Sequence, residues 1–186
     1  DDDDRPVQVG EVGEIVVRPR EPYAMFSGYW QKPGETLRAY RNLWYHTGDY
    51  GQADARGFIT FVDRKKDALR RRGENVSSVE LEVAITRHPK IAEAAVHAVP
   101  SQLTEDDIKA CIVLKPEESI SPDEIFAFFQ GHIPYYAIPR YVEIFPQLPK
   151  NAVGRVMKYL LRERGVTSST WDLEAMGFKI PRSQRR

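Results

Sequence analysis

The sequence WYHTGDY, residues 44–50, places a threonine, a glycine and an aspartate directly after an aromatic stretch. A glycine beside an aspartate lets the backbone turn sharply and present the carboxylate, which can accept hydrogen bonds from both hydroxyls of a ribose. Asp49 is therefore a candidate for binding the sugar of a nucleotide. A Thr-Gly-Asp sequence alone is more often an ordinary turn, so this interpretation needs support from other motifs.

A second stretch, FVDRKKDALRRRGENVSSVELE at residues 61–82, concentrates positive charge. Together with Arg56 it supplies seven basic residues within 17 positions, relieved by Asp63 and Asp67. Residues 64–72 could therefore bind a polyanion such as a nucleic acid. Recognition of a nucleic acid would also need interleaved aromatic residues or a known reading module, and the stretch has neither. A charged connector between two domains is the alternative interpretation.

The third stretch of interest, LPKNAVGRVMKYLLRE at residues 148–163, begins as a proline-bounded loop, passes a glycine and becomes helical in pattern. A loop of this kind could handle phosphate, contact a nucleic acid, or be a solvated turn before a last helix. The stretch by itself leaves these three alternatives open.

The elements that must position these motifs predict an α+β fold. Strand-like runs occur at 14–19 and 57–64, and the segment between them is predicted to hold strands and loops without a helix. Farther on, Ser77 and Ser121 are predicted to begin helices and Gly165 to end one, with strands in between. We therefore expect a β-rich piece over residues 1–62 and a domain with a small mixed sheet and flanking helices over 63–186.

Composition excludes several other classes. The 186 residues carry 27 Lys and Arg against 27 Asp and Glu, so no overall field attracts polyanions. The sequence has no apolar run of 18 residues and no basic-then-apolar leader, so we expect a cytoplasmic protein with no membrane span. We predict no metal site, because the four histidines lack ligand spacing; these are His46, His88, His97 and His132.

Buried positions can also be predicted from the pattern. Cys111, the only cysteine, lies in the strand-like KACIVLKP, so neither a disulfide framework nor a cysteine metal site is available and the side chain should belong to the core. Phe126, Phe128 and Phe129 recur at helical spacing and are expected in the core as well.

Four motifs in order give the chain a clear resemblance. GEIVVRPREPYAMFSGYWQKP, WYHTGDY, FVDRKKDALRRRGENVSSVELE and LPKNAVGRVMK follow one another as they do in the C-terminal third of acyl-adenylate-forming enzymes. That superfamily includes acyl-CoA synthetases, the adenylation domains of peptide synthetases and luciferases. The resemblance extends from about Val12 to the end of the chain. It is strongest for carnitine and crotonobetaine CoA ligases.

The resemblance implies roles for particular residues. Asp49 occupies the position of the carboxylate that holds the ribose hydroxyls of ATP, and Arg64 that of an arginine reaching the ribose and phosphate side. Lys66 matches the hinge about which the small domain pivots. Gly73 matches a glycine beside the thiol-bearing arm of CoA, although a turn glycine is an equal alternative.

The last motif departs from the family pattern. The family carries Gly-Lys there, and the lysine bridges the acid carboxylate and the α-phosphate; this chain has Gly154 and Arg155. Arginine keeps a permanent positive charge on a longer, planar group. Arg155 is therefore the first candidate for the catalytic cation, Lys158 the second, and Lys150 a further loop lysine; the role could also belong to none of these.

As a whole, the resemblance predicts part of an ATP-dependent acid–CoA ligase. Its substrates would be a carboxylic acid, ATP and CoA, with Mg²⁺ beside the phosphates, and its partner would be the large N-terminal domain of the same enzyme, with no nucleic acid involved. Residues 1–62 would be the β-rich end of that N-terminal domain and residues 63–186 the mobile C-terminal domain. The chain alone should be inactive. The alternatives are a stand-alone lid that complements a separate N-terminal half and a non-catalytic nucleotide-binding fragment.

Overall fold

The computed structural model describes residues 1–71, 74–101 and 106–179. These residues form two compact units. The first spans Asp1–Lys66 and the second begins at Asp67. The α+β class predicted from the sequence is confirmed, and the assignment of residues 1–62 and 63–186 to parts of a larger enzyme stays a prediction.

The first unit is a small antiparallel sheet with one helix. Its longest strand pairs with each of the three others, so this central strand organises the unit. The elements in chain order are β1 (Val12–Val17), α1 (Pro33–Ala39), β2 (Tyr40–Arg41), β3 (Trp44–Ala53) and β4 (Ile59–Arg64).

Helix α1 corrects the sequence-based expectation that no helix lies between the strands at 14–19 and 57–64. Pro33 lies in the first turn, where the fixed φ of proline suits a helix. Glu35 in the first turn and Arg38 in the last turn have the charges that the helix dipole favours. The helix is only seven residues long and buries no side chain. It therefore leaves no apolar periodicity in the sequence.

The second unit packs helices on a four-stranded mixed sheet in the order β10-β9-β8-β7. The pairs β7–β8 and β9–β10 are antiparallel, whereas β8–β9 is parallel. A short ladder of β5 and β6 precedes the sheet. The elements are β5 (Leu69–Arg71), β6 (Glu74–Val76), α2 (Ser78–Thr86), β7 (Ile91–Pro100), β8 (Asp106–Leu114), α3 (Pro122–His132), β9 (Tyr141–Ile144), α4 (Lys158–Arg164) and β10 (Thr170–Asp172).

The helix boundaries follow local rules. Ser77 and Ser121 each accept a hydrogen bond from the backbone N–H three residues later, as predicted for N-caps. Helix α4 ends at Gly165, which has a φ of 61°. The helix begins at Lys158 and not at Arg155, because Val156 forms a backbone bridge with Lys150.

The core of the second unit lies between its sheet and helices. Phe126 and Phe129 are buried in it, as predicted. Phe128 is only partly buried, and its ring lies against the imidazoles of His88 and His132. Cys111 is buried as expected, and burial raises the pKa of its thiol to about 12, so it is a core residue and not a nucleophile.

A charged pair is also buried in this unit. Lys109 and Glu143, on the neighbouring strands β8 and β9, form an ion pair with side chains that are 0% and 1% exposed. Glu143 also accepts hydrogen bonds from Arg164 at 2.9 Å and from the hydroxyls of Thr167 and Thr170. Burial alone would raise the pKa of Glu143, but the bonds from Lys109, Arg164 and Thr170 outweigh it and lower the pKa.

No helix in the described ranges is long and apolar enough to span a bilayer.

We expect Glu143→Ala to destabilise the second unit by about 3–5 kcal/mol, because it leaves Lys109 buried without its anion. Native-state hydrogen exchange of the β8 amides measures this unit separately. Glu163→Ala, at an exposed glutamate of α4, serves as the matched control and should change stability little.

The effect should depend on pH. Because the folded-state pKa of Glu143 is lowered, its stabilisation is present above the pKa of the unfolded carboxyl and is lost as the pH falls through the folded pKa. The difference between wild type and variant should therefore shrink in acid. Equal stability of Glu143→Ala and wild type at neutral pH would contradict this account.

Candidate functional site

Asp49 and Arg64, predicted from two separate motifs, lie side by side in the first unit. They are direct partners in the register of β3 and β4. The Arg64 Nε lies 3.8 Å from Asp49 Oδ1, and the two side chains are 48% and 39% exposed. An ion pair this exposed contributes little stability, on the order of 0–1 kcal/mol. Both groups are thus accessible to a polar ligand.

Asp49 is presented by a bulge. Glu14 of β1 pairs with Tyr50 and Val16 pairs with His46, so Thr47–Asp49 lie opposite the single residue Ile15. The Thr47 hydroxyl donates to the Ile15 carbonyl at 2.7 Å, and the Asp49 N–H donates to the same hydroxyl oxygen at 3.1 Å. We name residues 47–49 the TGD bulge. Bulges of this kind redirect side chains away from the regular pleat.

Gly48 is the residue that the bulge requires. Its φ of +73° lies in the left-handed region, which glycine adopts without the steric cost that a Cβ brings. Both of its backbone groups are bonded: the N–H donates to Glu14 Oε1 at 3.1 Å, and the carbonyl accepts from the Lys65 N–H at 2.8 Å. The conformation of the bulge is therefore fixed on both sides of Gly48.

Glu14 was not among the sites predicted from the sequence. Its side chain is 7% exposed, and its Oε2 accepts a hydrogen bond from Lys65 Nζ at 3.1 Å and lies 3.2 Å from His46 Nδ1. Burial alone would raise the pKa of Glu14, but hydrogen bonds from His46, Lys65 and Gly48 lower it. The one sequence signal was an acidic residue inside the apolar run VGEIVV.

A cleft of about 500 Å³ lies beside the TGD bulge, within the size range of small-molecule sites. It is contained in the first unit. Thr47 and Gly48 contribute to its wall together with basic, acidic and aromatic residues: Glu14, Tyr29, Lys32, Glu35, Arg38, Ala39, Arg41, His46 and Lys65.

Part of the basic stretch is paired with neighbouring carboxylates, which disfavours its interpretation as a nucleic-acid contact. Arg71 is buried, with its Nη2 3.3 Å from Asp107, and it also donates to the Ile138 carbonyl. Three of the basic residues pair with acids in this way: Arg64 with Asp49, Lys65 with Asp2 and Glu14, and Arg71 with Asp107.

The stretch contains two further predicted site residues, Lys66 and Gly73, and the structure describes the first of them. Lys66 is exposed and is the last residue of the first compact unit. Gly73 lies outside the described residues.

The loop that carries Arg155 is a tight turn in the second unit. Asn151 organises it: its Oδ1 accepts the N–H groups of Val153 at 3.1 Å and Arg155 at 2.9 Å, and its own N–H donates to the Arg155 carbonyl. Gly154 has a φ of +80°. The bridge between Lys150 and Val156 closes the turn at its base. We name residues 150–156 the basic loop.

The three candidate cations differ in availability. Arg155 is exposed, and its guanidinium makes no ion pair within the ranges that the structure describes. Lys158 is only 13% exposed; its Nζ lies 2.6 Å from Glu82 Oε1 and 2.8 Å from the Ser78 hydroxyl. Lys150 Nζ lies 2.7 Å from Glu93. Both lysines thus have carboxylate partners, while Arg155 presents a free charge.

The second unit matches a described family. Residues 80–155 match the AMP-binding enzyme C-terminal domain.

Relatives and solved structures agree with this assignment. The chain is 39% identical over 163 residues to a crotonobetaine/carnitine–CoA ligase of Salmonella paratyphi B, covering 87% of this chain and 32% of the relative. ATP-bound MatB from Rhodopseudomonas palustris matches with a TM-score of 0.75 and 30% identity, over 85% of this chain and 31% of that one. The anthranilate CoA ligase AuaEII in complex with anthranoyl-AMP matches with a TM-score of 0.77 and 31% identity, over 89% and 32%.

The similarity to acyl-adenylate-forming enzymes indicated by the motifs is confirmed. The chain spans about a third of the length of the curated relatives it matches. The residues that match the AMP-binding enzyme C-terminal domain reach as far as Arg155, so they include nearly all of the basic loop. Asp49 and Arg64 lie before the matched residues, in the first unit.

No cluster of three or more histidine, cysteine or acidic side chains that could hold a metal ion occurs in the described residues. The predicted magnesium ion would be bound by the substrate phosphates, and it stays a prediction.

We expect Asn151→Ala to loosen the basic loop without unfolding the domain. The substitution removes the acceptor of two amides, so the Val153 and Arg155 N–H groups should exchange with solvent roughly two- to tenfold faster, the equivalent of a hydrogen bond of ordinary strength. NMR-detected hydrogen exchange resolves both amides. Ser169→Ala, at an exposed serine outside the loop, is the control, and unchanged exchange in Asn151→Ala would show that Asn151 does not order the loop.

Proposed function

We propose that this chain is the C-terminal part of an AMP-forming acid–CoA ligase. In this reaction a carboxylic acid is first activated as an acyl-adenylate with release of pyrophosphate, and CoA then displaces AMP. The observation that carries the proposal is the direct pairing of Asp49 with Arg64 in neighbouring strands. Two motifs that the resemblance assigns to ATP binding thus supply one exposed carboxylate and one exposed guanidinium at the same place.

The Asp49–Arg64 pair suits the ribose of ATP. A carboxylate has two oxygens and can accept a hydrogen bond from each ribose hydroxyl, while a guanidinium can donate to a hydroxyl or a phosphate. Because the 3.8 Å ion pair is weak and exposed, a ligand can replace it at small cost. We propose that Asp49 selects the ribose and that Arg64 binds on its phosphate side.

Arg155 is proposed to act in the first step. An oxygen of the acid carboxylate forms a bond to the α-phosphorus as the bond to the pyrophosphate oxygen breaks, and negative charge accumulates among these groups. A positioned cation stabilises such a transition state. The exposed, unpaired guanidinium of Arg155 fits this role better than Lys158, which is held by Glu82 and Ser78. Mg²⁺ would share the phosphate charge.

The second step is proposed to use the same chain differently. The CoA thiolate attacks the acyl carbonyl carbon and AMP departs. The residue at which the chain would pivot between the steps is Lys66, in keeping with its exposure and its place as the last residue of the first unit. Hinges are often a few residues at the boundary of an element. Gly73 is proposed to leave room for the thiol-bearing arm of CoA.

The acid is proposed from the relatives. Crotonobetaine and carnitine are the first acids to test, because a crotonobetaine/carnitine–CoA ligase is 39% identical to the matched part of this chain. We propose that the complete enzyme acts in the cytoplasm and that its N-terminal domain supplies the rest of the site.

The decisive test of the proposed function is acid-dependent exchange of pyrophosphate into ATP by the full-length enzyme. We expect Arg155→Ala to slow exchange by about 10²–10³-fold, the usual effect of removing one positioned donor from a charged transition state. Arg155→Lys should retain most of the rate. Lys115→Ala, at an exposed lysine of the same unit, is the control and should match wild type.

The second half-reaction separates catalysis from damage to the fold. With a preformed acyl-adenylate and CoA, Arg155→Ala should react within a few-fold of wild type, because Arg155 is proposed to act only when the adenylate forms. If Arg155→Ala keeps full pyrophosphate exchange while Lys158→Ala loses it at unchanged stability, the assignment of Arg155 is wrong.

A further inference from the structure

The contacts of Glu14 join the two residues that are proposed to bind the ribose. Its Oε1 accepts the N–H of Gly48, which precedes Asp49 in the chain. Its Oε2 accepts from the Nζ of Lys65, which follows Arg64. One carboxylate is thus bonded to the immediate neighbour of each member of the Asp49–Arg64 pair.

A further bond closes this arrangement. The Lys65 N–H donates to the Gly48 carbonyl at 2.8 Å, so Lys65 is attached to Gly48 directly and also through Glu14. A closed set of bonds resists relative motion of its members better than a single contact. We name Glu14, Gly48 and Lys65 the Glu14 closure. Its direct effect is to fix the backbone on which Asp49 and Arg64 stand.

The Glu14 carboxylate is almost fully withdrawn from solvent and is engaged by neighbouring side chains. Its side chain is 7% exposed and is surrounded by groups that favour its charged form: Lys65, His46 Nδ1 at 3.2 Å and Arg41 Nη2 at 3.8 Å. Burial alone would lower the pKa of Lys65, but the hydrogen bonds that its ammonium donates to Asp2 and Glu14 raise it. A buried carboxylate is costly unless it is paired in this way, so its presence next to a binding pair calls for an explanation.

We propose that Glu14 is a positioning residue for nucleotide selection: through Gly48 and Lys65 it holds Asp49 and Arg64 at the spacing that ribose recognition requires. This inference rests on the proposed function, because it assumes that the pair binds the ribose of ATP. It goes beyond that function in assigning a role to a buried residue that is not itself proposed to bind a substrate.

Loss of the Glu14 closure should selectively weaken the recognition of the ribose hydroxyls. Asp49 recognises ribose hydroxyls, so a displaced Asp49 binds ATP less well but loses less with 2′-deoxy-ATP, which lacks one of them. The preference of the enzyme for ATP over 2′-deoxy-ATP should therefore fall. Recognition of the carboxylic acid does not involve this pair, so the KM for the acid should stay the same.

The experiment uses the full-length enzyme and the variant Glu14→Gln, which keeps the shape of the side chain and removes its charge. We expect kcat/KM for ATP to fall roughly ten- to hundredfold, the range for a lost hydrogen bond to a charged group. The ratio of kcat/KM for ATP to that for 2′-deoxy-ATP should fall toward the value for Asp49→Ala. Glu11→Gln is the matched control, since its carboxylate is exposed and accepts the nearby Gln8 N–H at 3.0 Å.

A second variant guards against a simple folding defect. Lys65→Met breaks the Glu14 closure from the other side while Glu14 still accepts the Gly48 N–H, and it should lower the same ratio. If either variant lowers kcat/KM for ATP and for 2′-deoxy-ATP by the same factor, Glu14 is merely structural and the inference is overturned. Wild-type values in both variants overturn it as well.

The controls separate this inference from the function on which it rests. A wild-type enzyme that forms no AMP with any acid refutes the proposed function itself. If wild type is active and Asp49→Ala loses the preference for ATP, but Glu14→Gln retains it, the proposed function survives and only the role of Glu14 is refuted.

Discussion

A carboxylate that is withdrawn from water must be surrounded by cations and N–H or O–H donors, and each unit of this chain contains such a group. Glu14 in the first unit is held by Lys65, His46 and the Gly48 N–H, and Glu143 in the second by Lys109, Arg164 and two threonine hydroxyls. Leaving either carboxylate without its partners would cost several kcal/mol. The positions of several segments distant in sequence are fixed by this requirement.

The side chains proposed to act on substrates are exposed, but they stand on backbone that buried side chains and loop hydrogen bonds hold in place. Asp49 and Arg64 are exposed, on backbone that Glu14 and Lys65 hold in place. Arg155 is exposed on a loop ordered by Asn151, which is followed by a helix whose first residue, Lys158, is bound to Glu82. Exposed groups on a fixed backbone can meet a ligand with little loss of conformational freedom.

Features that depend on residues close together in the chain, such as helix boundaries and sequence motifs, could be predicted from the sequence. Ser77, Ser121 and Gly165 delimit helices through contacts within a few residues. The motifs indicated the similarity to acyl-adenylate-forming enzymes because their order and spacing are distinctive. Helix α1 was missed because it is short and buries nothing. Glu14 was missed because its partners His46 and Lys65 are 32 and 51 residues away, and no local pattern reveals such a pairing. Lys158 differs from Arg155 in having a carboxylate partner, Glu82, and this partner is also too distant in sequence for a local pattern to reveal.

We propose that the full-length enzyme containing this chain cleaves ATP between its α- and β-phosphates. The most direct measurement is ³¹P NMR of the products formed by the full-length enzyme from ATP, CoA and a carboxylic acid, with the acyl-CoA quantified in parallel. We expect one AMP and one pyrophosphate for each acyl-CoA, and no AMP when the acid is omitted. Formation of ADP and orthophosphate, or of AMP without any acid, would contradict this proposal.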